Sequence, residues 1–248
     1  MGDNVVVITG ASGGIGAALA NVLSSRGHSV ALVARRADAL GDVAQACGPQ
    51  ALPIVADMTR REEVRRVVAV SLARFGHIDV WVNNVGLGIS RLPSELTDAD
   101  IDAMMLVNVK SALYGMQEVL PHFRSRGKGQ VINMSSMLGR VPLVTIRSAY
   151  CGAKHFLNAL TATFRAEVQA THPDIQVSLI SPGVVRTEFG VHALHGGHDS
   201  RVLPDSQSPE EVAAVVAGVI DSRRIDVYTQ AGARDRVVSY FAGLGLDP

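Results

Sequence analysis

The chain has 248 residues, 47% of them hydrophobic, with no low-complexity segment, so it can bury a substantial core and is unlike a disordered polymer. Formal net charge is zero and no strong basic run occurs, which argues against nucleic acid as a partner. The two cysteines, Cys47 and Cys151, supply no disulfide framework and fit a reducing compartment. No basic segment precedes the apolar run 5–8, and the longest apolar stretch, 212–220, is far too short to span a bilayer. A cytoplasmic protein without a membrane partner is expected.

Short β-branched runs alternate with helical patterns along the chain. Strands are expected at 5–9, 29–34, 51–55, 79–83, 130–133, 176–180 and 225–229. Helices are expected at about 14–26, 37–47, 61–75, 99–126, 150–170 and 209–222. Repeated β-α units with fully apolar strands predict an α/β fold, a doubly wound parallel sheet of the Rossmann type with helices on both faces. No Pro/Gly-rich linker divides the chain, so one domain over 1–248 is expected.

Tyr150-Cys151-Gly152-Ala153-Lys154 puts a phenol and an ammonium four residues apart, on one face of the helix expected there. A neighbouring cation favours the phenolate and lowers a pKa ordinarily near 10, which suits general acid–base catalysis. The plain alternative is a helix pair that carries these residues by chance, so the surroundings decide.

Thr9-Gly10-Ala11-Ser12-Gly13-Gly14-Ile15-Gly16 falls where the first strand turns into the first helix. Its G-x3-G-x-G spacing differs from the dinucleotide fingerprint G-x-G-x-x-G, but the physical logic is shared. Glycine permits the tight turn, lets backbone approach a pyrophosphate, and the helix N-terminus presents N–H groups to it. Gly10, Ser12, Gly13, Gly14, Ile15 and Gly16 are therefore candidate cofactor contacts; a ligand-free turn is the alternative. The second strand ends in Ala34-Arg35-Arg36, where an acid would bind the ribose 2′-hydroxyl. Two guanidiniums and no carboxylate favour a 2′-phosphate, hence NADP(H) over NAD(H). Asp57, with Met58 beside it, is placed to accept from the adenine amino group, or simply to cap the next helix. Asn84, Val85 and Gly86 end the fourth strand, where they can border a nucleotide or form an ordinary turn.

Taken in order, these pieces together with Asn108, Ser136, Tyr150–Lys154 and Pro182–Thr187 resemble the short-chain dehydrogenase/reductase family across essentially residues 4–230. The resemblance implies that Tyr150 is the acid in carbonyl reduction and the base in alcohol oxidation. It implies that Lys154 binds the nicotinamide-ribose hydroxyls and lowers the tyrosine pKa, and that Ser136 rather than Ser135 hydrogen-bonds the substrate oxygen. Asn108 would hold a helix irregularity and a proton-relaying water. Pro182, Gly183, Val185 and Thr187 would pass the nicotinamide, and long helices containing Asn108 and Tyr150 would associate into a homodimer or homotetramer. Two departures stand out. Tyr150 lies one residue further from Ser136 than the family spacing, which points to an insertion within 139–149, and Val85 replaces an alanine and is expected to crowd the cofactor.

His192, His195 and His198 recur at three-residue spacing, but in a glycine-containing polar segment, and no metal is expected. Residues 188–208 are read instead as a substrate lid in which Phe189, Val191 and Leu194 either face the substrate or anchor the segment. Cys151 is read as a small buried filler and Trp81 as core. The function expected is an NADP(H)-dependent oxidoreductase interconverting a carbonyl and a secondary alcohol of a small molecule. The competing readings are a catalytically quiet NADP(H)-binding regulator and an NAD-dependent alcohol dehydrogenase. A regulator has no need of Asn108, Ser136, Tyr150 and Lys154 together, and cofactor titration separates the two enzymes.

Overall fold

A computed structural model describes residues 4–244. Seven parallel strands form one sheet: β1 (Val5–Thr9), β2 (Ser29–Ala34), β3 (Ala51–Val55), β4 (Val80–Asn83), β5 (Gly129–Met134), β6 (Ile175–Ser181) and β7 (Asp226–Tyr228). Their spatial order is β3-β2-β1-β4-β5-β6-β7, so the chain reverses its direction of travel across the sheet between β1 and β4. Ligands bind at such a reversal, outside the carboxyl ends of the strands.

Every residue of β1, β4 and β5 is buried, and so is every residue of β6, because helices cover both faces. That is why these strands read as unbroken apolar runs rather than alternating ones. β3 is the edge strand and tolerates Pro53, which sits opposite Leu32 and cannot donate to a further ladder. Helices α1 (Gly14–Ser25), α2 (Ala37–Cys47) and α7 (Pro209–Ser222) share one apolar layer with the sheet. Helices α3 (Arg61–Phe75), α5 (Ser111–Arg126) and α6 (Ser148–Gln169) share the other.

The helical region expected at 99–126 is α4 (Asp98–Met105) and α5 joined by a π-helical turn, Leu106–Lys110, with Asn108 at its middle. Such turns concentrate at functional sites. α4 opens with a capping box in which Thr97 and Asp100 satisfy each other's backbone. An eighth helix, α8 (Ala233–Gly243), is absent from the sequence reading. Gly232 caps it without a side-chain bond, so no start signal exists; Val237, Tyr240 and Phe241 pack it onto Met137 and Val141. Tertiary packing rather than local propensity makes this helix.

Trp81 is fully buried, as expected, and its indole Nε1 donates to Asn83 at 2.8 Å. Asn83 donates in turn to Asn133 (2.8 Å), Asn133 to Thr161 (2.9 Å), and Thr161 to the Leu157 carbonyl (2.6 Å). This chain locks β4 and β5 to α6 just beneath the carboxyl ends of the strands. Asn133→Ala removes its centre, leaving Asn83 Nδ2 only the Ala112 carbonyl and Thr161 Oγ1 without its donor. A loss of about 2–3 kcal/mol in unfolding free energy is expected, measured by urea denaturation; an unchanged midpoint would remove the network from the account.

Candidate active site

The glycine turn is built by close approach. Gly10 and Gly14 have φ of 67° and 53°, in the left-handed region that side chains disfavour. A Cβ on Gly16 would collide with the Gly10 carbonyl oxygen and stand 2.8 Å from Asn84 Nδ2. The Asn84 amide donates to the carbonyls of Thr9 (3.0 Å) and Gly10 (3.2 Å), so the end of β4 pins the turn after β1. Gly13 offers no capping side chain, and no acid lies in the first turn of α1. The N-terminal N–H groups and dipole end are left for an anion.

Arg36 reaches across this turn, donating from Nη2 to the Ser12 carbonyl (3.0 Å) and from Nε to Ser12 Oγ (3.3 Å). Beside it Arg35, Val55, Ala56, Asp57, Arg60 and Glu63 line an open groove of about 280 Å³. Asp57 Oδ1 accepts from the Thr59 N–H (2.9 Å) and hydroxyl (2.8 Å), a local turn rather than a helix cap, since α3 begins after Arg60 without a side-chain cap, and the carboxylate lies in the groove wall. The side chains of Ile15, Met58, Val85 and Val185 pack against the core, which leaves mainly their backbone for a ligand. The Val85 side chain is partly buried and packs against the layer formed by α3, α5 and α6.

Beyond β6, Pro182 accepts from the Met137 N–H at 2.7 Å, and Gly183 lies so close to Gln230 that a Cβ would overlap it. Thr187 doubles back to the glycine turn: its Cγ2 stands 3.2 Å from where a Gly14 Cβ would be.

Asn108 and Lys154 converge on Gly86. A Cβ there would lie 3.4 Å from Asn108 Oδ1 and 3.8 Å from Lys154 Nζ. Asn108 is buried and clasps Leu87 twice, accepting from its N–H (3.0 Å) and donating to its carbonyl (2.9 Å), while also donating to the Met104 carbonyl (3.1 Å). It fixes the π turn and the loop after β4, a positioning role. Lys154 donates to the Met134 carbonyl at 2.8 Å and stands 5.7 Å from the centre of the Tyr150 ring. Ser135 turns away to hydrogen-bond Asn158, whereas Ser136 faces the Tyr150 phenol. Gly139 lets this loop approach α6, since a Cβ would stand 2.9 Å from Lys154 Cβ.

Burial governs the electrostatics here. It pushes the Tyr150 phenol up to about 12, against the Ser136 hydrogen bond and the Arg147 charge that pull it down. Helix spacing alone predicts the opposite direction, because the spacing shows the cation and not the desolvation. Burial also brings the Lys154 ammonium down to about 8 and lifts the Cys151 thiol to about 11, consistent with an inert filler.

The segment after Thr187 lies over this site. Phe189 meets Tyr150 edge-on, with ring centroids 5.6 Å apart. Leu194 bridges Ile89, with hydrogen bonds of 2.9 Å to Gly88 and from Ser90. His195, at φ 62°, pairs with Asp100 at 2.7 Å, and Arg91 joins the same carboxylate at 3.0 Å. Hydrogen bonds from Thr97 and His195 hold Asp100 well below the usual carboxylate range. Among the described residues no three His, Cys, Asp or Glu side chains are grouped to hold a metal, and no helix is long and apolar enough to cross a membrane. The sequence reading missed the His195–Asp100 pair; Thr97-x-x-Asp100 was legible as a capping box, but nothing local told of its second partner.

Residues 4–195 match the family of short chain dehydrogenases. The chain belongs to that family. An uncharacterised oxidoreductase of Staphylococcus saprophyticus is 37% identical over 191 residues, 77% of either chain. Another, from Bacillus subtilis, is 31% identical over 94% of this chain and 67% of its own. Among solved structures, a short-chain dehydrogenase of Streptomyces avermitilis superposes with a TM-score of 0.86 at 28% identity, covering 98% of this chain and 94% of that one. An alcohol dehydrogenase of Thermococcus sibiricus, complexed with 5-hydroxy-NADP, gives 0.79 at 28% identity, covering 92% and 96%. As a short-chain dehydrogenase, this protein is an oxidoreductase whose solved neighbours hold nicotinamide cofactors.

The buried lysine has a pH signature. Folded Lys154 releases its proton near pH 8, whereas the unfolded chain keeps it to about 10.5, so the unfolded state binds more protons in that window and stability rises with pH across it. Below pH 8 the full penalty of burying the ammonium applies. Lys154→Met is therefore expected to be more stable than wild type at pH 7, by on the order of 2 kcal/mol, with the difference closing between pH 8 and 10.5. Denaturation curves at pH 7, 8.5 and 10 check this; a constant difference would contradict it.

Proposed function

We propose that the protein is an NADP(H)-dependent oxidoreductase that interconverts a carbonyl and a secondary alcohol. The observation that carries this reading is the convergence of Ser136, Tyr150, Lys154 and Asn108 beside the glycine turn, at the switch point of the sheet. A binding module has no use for such a set.

The residues present fit the cofactor. The uncapped first turn of α1, with Gly10, Ser12, Gly13, Gly14, Ile15 and Gly16, suits a pyrophosphate. Arg36, already seated on the turn, and Arg35 in the adjoining groove suit a 2′-phosphate, and Asp57 with Met58 borders the adenine side. Asn84, Val85 and Gly86, then Pro182, Gly183, Val185 and Thr187, flank the path towards Tyr150. When bound, the cofactor supplies or accepts the hydride.

The chain's own groups do the rest. Tyr150, protonated at neutral pH, donates its proton to the carbonyl oxygen in reduction and recovers one in oxidation. Ser136 donates to the same oxygen as negative charge develops on it. Lys154 holds the nicotinamide-ribose hydroxyls and supplies positive charge beside the phenol, while Asn108 keeps Gly86 and Leu87 in register. Phe189 and the segment 188–208 exclude water from the phenol. The exposed face of α6 carries Phe156, 52% exposed, among small residues such as Ala159 and Ala162. That composition supports a homodimer or homotetramer formed through these helices.

Tyr150→Phe is expected to lower kcat by about 1000-fold or more, since only the proton donor is lost, with dinucleotide affinity retained in a fluorescence titration. Full activity would end the proposal. Arg35→Ala combined with Arg36→Ala is expected to raise the KM for NADPH about 10- to 100-fold by removing charge-assisted bonds, with the KM for NADH little changed. An unaltered cofactor preference would refute the NADP(H) assignment.

A further inference from the structure

Two cations flank the Tyr150 phenol, and neither has a carboxylate among the described residues. Lys154 donates to the Met134 carbonyl, and Arg147 donates from Nη1 to the Ile89 carbonyl at 3.0 Å. The carboxylate in this corner, Asp100, is already engaged by Arg91, His195 and Thr97. In a chain of zero net charge, the reacting centre is therefore locally positive. A half-buried guanidinium held by one backbone carbonyl is costly, because desolvation is not offset by an opposite charge. Its fork of five N–H donors matches a carboxylate or phosphate, and most of that capacity is unused.

The neighbours of Arg147 supply the complement. Ser90 Oγ is buried without a hydrogen-bond partner among the described residues. Ser90 Oγ and Arg147 Nη2 both close on Gly197, standing 2.8 and 3.0 Å from where its Cβ would be. Gly88 completes the link to the reacting centre. A Cβ there would lie 2.7 Å from Arg147 Nη1 and 3.0 Å from Phe189 Cε1, and Phe189 is the ring that meets Tyr150. The covering segment thus lies over the phenol and the guanidinium together, through Phe189 and Gly197.

We infer that Arg147, with the hydroxyl of Ser90, anchors an anionic group of the substrate, so that the carbonyl compound turned over at Tyr150 carries a carboxylate or phosphate. This rests on the oxidoreductase reading above for its chemistry, but the anion site itself is a binding property. Displacing Phe189 and Gly197 from above the two groups admits substrate, and pairing of its anion with Arg147 compensates the buried charge.

The test compares short 2-, 3- and 4-oxo acids with their methyl esters, and dihydroxyacetone phosphate with dihydroxyacetone, using wild type, Arg147→Gln and Ser90→Ala. Gln keeps a polar amide at this position but carries no charge. The readout is the ratio of kcat/KM for the anionic compound to that of its neutral counterpart. For the best pair, the wild-type ratio is expected to exceed about 10, and Arg147→Gln to lower it by about 10- to 100-fold, as loss of a charge-assisted pair implies. Ser90→Ala is expected to lower it several-fold. A wild-type ratio near one, or a ratio unmoved by Arg147→Gln, would overturn the inference and leave Arg147 as a staple between the loop after β4 and α6.

Binding without turnover separates the two readings: malonate and inorganic phosphate are titrated against thermal unfolding of wild type and Arg147→Gln. Saturable stabilisation of wild type alone supports the anion site even if no carbonyl compound is reduced, in which case the oxidoreductase assignment fails by itself. Turnover of neutral compounds without anion binding has the reverse meaning, and neither response would sink both. The stronger ligand of the two tells carboxylate from phosphate.

Discussion

The site depends on one close approach, that of the end of β4 to the turn after β1. Asn84 holds the carbonyls of Thr9 and Gly10, and Gly16 has no side chain to keep them apart. The sheet reverses its winding there, so the connections leave β1 and β4 in opposite directions and open a crevice between them. With that seam closed, the first turn of α1 faces the crevice uncapped, and Gly86 is delivered to the point where Asn108 and Lys154 meet it. A larger residue at Gly16 would displace the turn and the loop carrying Gly86 together, because the two share the Asn84 amide.

Above the seam, positive charge is concentrated where water is scarce. Burial raises the phenol and lowers the ammonium, so proton donor and neighbouring cation move towards their neutral forms. Hydrogen bonding from Ser136 and the charge of Arg147 work against that trend at the phenol. The covering segment is held at His195 by a carboxylate, Asp100, that also closes the capping box of α4, which ties the segment to the start of the helix leading into the π turn.

Much of the architecture was legible before folding was considered. Each of the seven strands is an apolar run wherever helices cover both faces, and six helical regions follow from periodicity and caps. What escaped was α8, whose Gly232 start carries no local signal and whose apolar residues make sense only against Met137 and Val141. Residue types at the site were equally legible, but their use was not. Asn108 sits in the helix irregularity expected of it, but its clasp on Leu87 and the packing of the Val85 and Met58 side chains had no local signal.

The sequence by itself determined the order of strands and helices, the glycines of the turn, the paired arginines after β2, and the identity of the groups able to carry a proton. These are local properties, set by side-chain period, backbone freedom and functional-group chemistry. Only the tertiary structure decided that burial outweighs the Ser136 hydrogen bond and the Arg147 charge at Tyr150, that Asp100 is spent on His195 and Arg91, and that Arg147 faces the site without a carboxylate partner. Those outcomes depend on desolvation and on contacts between segments as much as 95 residues apart, which no local pattern records.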